Sequence, residues 1–147
     1  MPASLSEMQT ELIRSSFAAM MHHGDRLAQG IYRAMFEEAP DLEHMFREDM
    51  GAQQRELMDT FGLIVSRAHD LASIDGALLE MGARHASYGV VAEHYPVVRD
   101  IMLSTMDALL GEGWTNETEE AWTELLNVVS GFMLEGAERA GGQRRAA

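Results

Sequence analysis

Residues 78–90 read Leu-Leu-Glu-Met-Gly-Ala-Arg-His-Ala-Ser-Tyr-Gly-Val. Leu78, Met81 and His85 stand at i, i+3 and i+7, so a helix aligns them on one stripe and points the imidazole along an apolar face. Ser73 is the expected start of this helix. The same period runs outward in both directions. Upstream, Ser4 with Glu7 makes a capping-box start. Met8, Leu12, Ile13, Ser16, Phe17 and Met20 follow at helical spacing, and His22-His23-Gly24 ends the run. Asp25 can cap a second helix carrying Leu27, Ile31, Met35 and Phe36. Pro40 ends it and opens a short turn with Leu42, Met45 and Phe46 apolar. Asp49 precedes a long third helix bearing Met50, Leu57, Phe61, Ile64 and Val65. Downstream, Pro96 sits in the first turn of a helix with Val97, Val98, Ile101, Met102, Thr105 and Leu109. Gly111 and Gly113 break it. Thr115 or Asn116 caps a final helix with Trp122, Leu125, Leu126, Val129, Phe132 and Met133. No segment of any length alternates with period two. The fold class is therefore all-α with about seven helices, and their wide apolar faces predict crossing packs.

Composition sets the class of function. The 147 residues make one domain, and a 46% apolar, 24% charged composition excludes a disordered chain. Eleven basic against 24 acidic residues leave a net charge of −13, which argues against nucleic acid and against anionic membrane surfaces as partners. No apolar window reaches about 18 residues, so membrane insertion is not expected. The absence of cysteine excludes disulfides, zinc–thiolate sites, iron–sulfur clusters and covalent c-type haem attachment. Residues 1–6 lack a basic stretch followed by an apolar one, so no secretory signal is visible and the expected location is the cytoplasm. The domain is expected over 1–140, with GGQRRAA at 141–147 as a flexible tail.

Several polar residues lie on apolar faces, and each has a purely structural explanation. His85 could be a core histidine bonded to a backbone carbonyl. His22, His23, His44, His69 and His94 fall at helix ends or in polar contexts and read as solvated. Tyr32 could be a core aromatic whose hydroxyl finds any acceptor. Gln53, four residues before Leu57, could be a solvated glutamine. Glu117, Glu119 and Glu120 suit a solvated first helical turn. Glu135 follows Phe132-Met133-Leu134 and reads either as a surface charge or as a buried, partnered carboxylate. The twelve methionines serve as adaptable core filler. There is no P-loop, dinucleotide glycine fingerprint, HExxH, EF-hand loop or G-x-S-x-G elbow.

Taken together, five segments resemble bacterial globins. Arg84-His85-Ala86-Ser87-Tyr88-Gly89-Val90, then Glu93-His94-Tyr95-Pro96-Val97-Val98, is similar to that family's proximal-histidine region. Ile31-Tyr32-Arg33-Ala34-Met35-Phe36, with Pro40-Asp41-Leu42 and Met45-Phe46, resembles its second helix and the following corner. Gln53 with Leu57 and Met58 fits the start of its distal helix, and Gly113-Trp114-Thr115 through Ala121-Trp122 the entry to its last helix. The likeness runs from about Leu12 to Glu135 and is nearest to the haem domain of flavohaemoglobins and their single-domain relatives.

That resemblance implies a globin fold packed around haem b, with no separate helix between Phe46 and Gln53. It implies His85 as the proximal iron ligand and Phe46 as the aromatic wedged against the porphyrin. Tyr32 and Gln53 become the distal polar pair and Leu57 the distal apolar wall, with Met81 and Val98 also lining the cofactor. Gln54 adjoins Gln53, but Gln53 keeps Leu57 four residues on. Tyr95 and Glu135 match the family's hydrogen-bond partners of the histidine. The implied ligands are dioxygen, nitric oxide and carbon monoxide. The implied chemistry is nitric oxide dioxygenation to nitrate, with Tyr32, Gln53, Tyr95 and Glu135 assisting. Since no reductase domain follows in these 147 residues, an external flavin reductase is expected. Non-catalytic oxygen storage or delivery, or gas sensing, are the competing functions. Oligomeric state stays open, a homodimer included.

Overall fold

The computed structural model describes residues 5–46 and 49–146, with side chains through residue 142. Six α-helices follow in order: α1 (Glu7–Met21), α2 (Arg26–Glu38), α3 (Met50–Ser66), α4 (Asp75–Ser87), α5 (His94–Leu110) and α6 (Asn116–Ala146). Three 3₁₀ turns, Pro40–Met45, Leu71–Ile74 and Gly111–Gly113, join them. Among the described residues there is no strand, and no helix is long and apolar enough to cross a membrane. Only residues 46–49 separate the first 3₁₀ turn from α3, too few for a further helix.

Helix ends follow local chemistry. Ser6, not Ser4, caps α1: its hydroxyl accepts from Gln9 N, and the Gln9 side chain accepts in return from Ser6 N. Ser4 lies outside the described residues. Gly24, at φ +63°, follows α1 where a side chain would be strained. Asp25 precedes α2 without a side-chain cap bond. The Asp49 carboxylate accepts from Ala52 N at 3.1 Å and caps α3. Ser73 lies inside a 3₁₀ turn, its hydroxyl donating back to Asp70 O, so α4 begins at Asp75. Thr115 caps α6 by accepting from Thr118 N at 3.1 Å. The backbone of α6 continues past the expected boundary at 140 to Ala146; Ala147 lies outside the described residues.

One core joins α1, α3 and α6. Trp122 is fully buried, and its indole N–H donates to Ser16 Oγ at 2.8 Å. Its ring lies 6.3 Å from Phe17 and 6.2 Å from Phe61. Truncating such a side chain to alanine costs about 3–5 kcal/mol. A second contact joins α4 to α6 through glycine. A Cβ on Gly82 would collide with the main chain of Met133, and one on Gly136 with that of Leu79. These paired contacts bring the two backbones together and fix their register. The α2–α5 crossing is also close, since a Cβ at Gly30 would come 2.9 Å from Thr105 Cγ2. The helices α2 and α3 also pack on each other, and a cavity remains between that pair and α4–α6.

Candidate functional site

The cavity measures about 840 Å³ and takes side chains from α2 through α6. That volume is in the range of sites that enclose an organic cofactor. Its walls are mostly apolar, among them Ile31, Met35, Leu57, Met81, Val98 and Met102. Phe46 stands edge-on to Tyr32 at 5.4 Å and to Phe36 at 5.3 Å, which fixes its ring at one end.

On the α4 side, the Leu78–Met81–His85 stripe forms as its spacing predicts. Leu78 is buried, while Met81 and His85 line the cavity. His85 Nδ1 lies 2.7 Å from the Met81 carbonyl oxygen. A carbonyl only accepts, so Nδ1 carries the proton and Nε2 is left with a free lone pair. Burial holds the pKa of His85 below the usual histidine value; the bond to Met81 works against that shift, and the neighbouring Arg84 adds to it. Tyr95 and Val98 reach the cavity from α5. Burial raises the Tyr95 phenol above its ordinary value.

On the α2–α3 side, Tyr32 is buried, and its hydroxyl donates to the Gln53 carbonyl oxygen at 3.4 Å. Burial, followed by the negative charge of Glu56, pushes the Tyr32 pKa up to about 12. Its phenol therefore keeps its proton at neutral pH. Gln53 and Leu57 line this wall, whereas Gln54 is not among the lining residues.

Eight of the nine residues singled out in the sequence thus share one cavity: Tyr32, Phe46, Gln53, Leu57, Met81, His85, Tyr95 and Val98. Glu135 does not join them. Its carboxylate accepts from Arg139 at 2.9 Å and is 50% exposed. The α6 residues that face the cavity are Leu126, Val129, Ser130 and Met133. Each helical residue turns by about 100°, so Glu135, two positions past Met133, looks away. The bond to the histidine expected from Glu135 is replaced by the Met81 carbonyl. Basic side chains also line the cavity beyond those singled out, namely His44, Arg84, His94 and Arg99. His44 and His94, read as solvated, belong to this group. His94 Nδ1 accepts from Val91 N at 3.0 Å, so its other nitrogen is a donor. Four cationic or donor side chains around one cavity of a −13 chain were the available signal.

These residues suit haem b. A flat apolar macrocycle matches the lining, and its two carboxylates match the basic side chains. Among the described residues no cluster of three or more His, Asp or Glu could hold a bare metal ion, and His85 has one ring nitrogen left free by its bond to Met81.

Comparison with known proteins agrees with the geometry. The globin family matches residues 29–133. A flavohemoprotein of Chromobacterium violaceum is 29% identical over 133 residues, covering 88% of this chain and 33% of that protein. The chain thus spans about a third of the length of the curated relatives it matches. A bacterial globin from Campylobacter jejuni superposes with a TM-score of 0.83 at 20% identity, over 93% of this chain and 99% of that one. The flavohemoglobin of Malassezia yamatoensis, solved with bound FAD and haem, gives 0.73 at 21% identity, over 95% of this chain and 38% of that one. A family match across most of the chain, a globin fold and a cavity with one histidine on its wall converge: the chain belongs to the globin family, and its cofactor is haem.

Proposed function

We propose that this globin binds dioxygen at a b-type haem held by His85 and supports dioxygenation of nitric oxide to nitrate, drawing electrons from a flavin reductase. The observation that carries the proposal is one cavity lined by His85, whose Nδ1 is taken up by the Met81 carbonyl, on one wall and by Tyr32 and Gln53 on another. The haem would supply a ferrous centre that takes up dioxygen and combines it with nitric oxide, losing one electron for each nitrate formed. The protein supplies the rest. His85 presents a neutral nitrogen, because burial disfavours its charged form. Tyr32 presents a hydroxyl that stays protonated, and Gln53 a carboxamide with two N–H donors. In a water-poor cavity such donors stabilise negative charge developing on a bound ligand. Tyr95 adds a neutral phenol from α5. The flavohemoprotein name of the relative supports a flavin as the electron source.

The test uses the protein reconstituted with haemin, reduced, equilibrated with air and mixed with nitric oxide. Rapid formation of one nitrate per haem is expected. Tyr32→Phe and Gln53→Leu should slow nitrate formation and speed oxidation of the haem. Reversible oxygen uptake without nitrate would leave storage or delivery of dioxygen as the function. A product that takes up no haemin would remove both readings.

A further inference from the structure

The stripe that α3 turns to the cavity has two unlike margins. Gln53, Leu57, Thr60 and Ile64 form its centre, at i, i+4, i+7 and i+11. At about 100° per residue, Phe61 lies about 80° to one side of Gln53. Phe61 is buried and packs on Phe17 and Trp122, so the core closes this margin. Glu56 and Asp59 lie about 60° and about 120° to the other side. Both line the cavity and both are exposed, so this margin is open to solvent. Neither carboxylate is in an ion pair among the described residues. Among these residues no basic side chain lines the cavity from α2 or α3; His44, Arg84, His94 and Arg99 come from the Pro40–Met45 turn, α4 and α5. Arg99 is itself engaged by Asp100 at 3.0 Å and by Asn127 at 3.1 Å. The open margin beside Gln53 is thus lined by negative charge alone. That charge is felt inside the cavity: burial comes first in raising the Tyr32 phenol, and Glu56 second.

We propose that Glu56, supported by Asp59, is a charge filter on the Tyr32–Gln53 wall that passes neutral diatomic molecules, holds off small anions and speeds the departure of nitrate. The inference rests on the haem reading above and deepens it by naming the class of ligand the site accepts. Dioxygen, nitric oxide and carbon monoxide carry no net charge, so the field of a carboxylate leaves their uptake unchanged. Azide, nitrite and nitrate each carry one negative charge and approach against that field. The basic side chains on the other walls are matched by the two carboxylates of the cofactor, which leaves Glu56 and Asp59 uncompensated. Glu56 acts across space, without touching the ligand, so it is a specificity-determining residue whose effect salt screens.

The experiment compares haem-reconstituted wild type, Glu56→Gln, Asp59→Asn and Glu11→Gln at neutral pH. Glu11 is an exposed residue of α1, a helix that does not line the cavity, so its variant changes net charge alone. Azide affinity of the ferric protein and carbon monoxide affinity of the ferrous protein are read from the absorption spectrum. At low ionic strength Glu56→Gln should bind azide about threefold or more tightly than wild type, Asp59→Asn less so, and Glu11→Gln no differently. Salt at about 1 M should erase the differences. Carbon monoxide should bind all four proteins alike. Azide binding in Glu56→Gln no tighter than in Glu11→Gln overturns the proposal. So does a parallel gain in carbon monoxide affinity, since that marks a widened entrance and not a charge. Glu56 and Asp59 are exposed, so their variants keep the fold. The two failures are distinct: a wild type that takes up no haemin overturns the haem reading and the filter with it, whereas equal azide affinities in haem-loaded proteins overturn the filter alone.

Discussion

At the scale of single residues, Tyr32 shows how burial becomes chemistry. It is 8% exposed, and its pKa moves from 10.0 to about 12 through burial and then the charge of Glu56. The folded protein thus holds this proton more tightly than the unfolded chain does. Below pH 10 both states are protonated, and the contribution to stability is constant. Between pH 10 and 12 the unfolded chain loses the proton first, so stability falls as pH rises. Two pKa units correspond to about 2.7 kcal/mol at most. Tyr32→Phe removes the effect, whereas Tyr95 titrates in both proteins and cancels. Urea unfolding of the haem-free protein at pH 9 and pH 11.5 should show wild type losing about 2 kcal/mol more than the variant. Equal losses would refute the burial argument. The same hydroxyl illustrates what local pattern can reveal. Ile31, Met35 and Phe36 mark the buried side of α2, so Tyr32 is legible as an inward residue from the sequence. That its hydroxyl would meet the Gln53 carbonyl is not, because that depends on how α2 crosses α3.

Among the elements, the α4–α6 pair is the sharpest constraint. Gly82 and Gly136 each face main-chain atoms of the opposite helix, which cannot move aside as the end of a side chain can. Gly82→Ala or Gly136→Ala should force the helices apart and destabilise the protein by about 1–3 kcal/mol or more. Gly131, also within α6, has nothing within 4 Å of where its Cβ would stand. Gly131→Ala should be neutral or stabilise by about 0.5–1 kcal/mol through helix propensity alone. Thermal or urea midpoints of the three variants decide the matter; a uniform response would show that propensity, not contact, governs the glycines. Periodicity exposes most of the helices and their order, because each buries a broad stripe. Against that, a glycine inside a helix reads only as a propensity penalty, since its partner lies some fifty residues away. Glu135 misleads for a related reason. The run Phe132-Met133-Leu134 is apolar on three successive directions of the helix, so sequence alone does not say which one faces the core. The paired glycines settle it by choosing Met133. The early signals shift by small steps on the same logic. Ser4 with Glu7 and Ser6 with Gln9 have the same spacing, and the box forms at Ser6.

For the whole molecule, the cavity divides the structure into two kinds of core. The cluster of Trp122, Phe17 and Phe61 packs ring against ring and touches the cavity only through Phe61. The cavity draws walls from α2 through α6, and the apolar side chains on those walls face the cavity instead of another helix. Helix α4 turns the face that carries Met81 and His85 to the cavity. Only Leu78 and Gly82 of α4 are buried, and beyond the adjoining Leu71–Ile74 turn its principal neighbour is α6. A helix with so little buried apolar surface opens at low free energy when one face is left unfilled. Binding of haem to the folded state alone adds stability as RT ln(1 + [L]/Kd), about 4 kcal/mol when free haem is a thousandfold above Kd. Amide hydrogen exchange of the haem-free protein should accordingly be fastest in α4. It should be slowest around Ser16 and Trp122, where a buried hydrogen bond ties α1 to α6. Adding haemin should protect α4 most and raise the melting temperature, and His85→Ala should lose most of both effects. Were α4 already as protected as α6 without haemin, the glycine contacts alone would hold it, and the cofactor would be a guest of the fold instead of a part of its core.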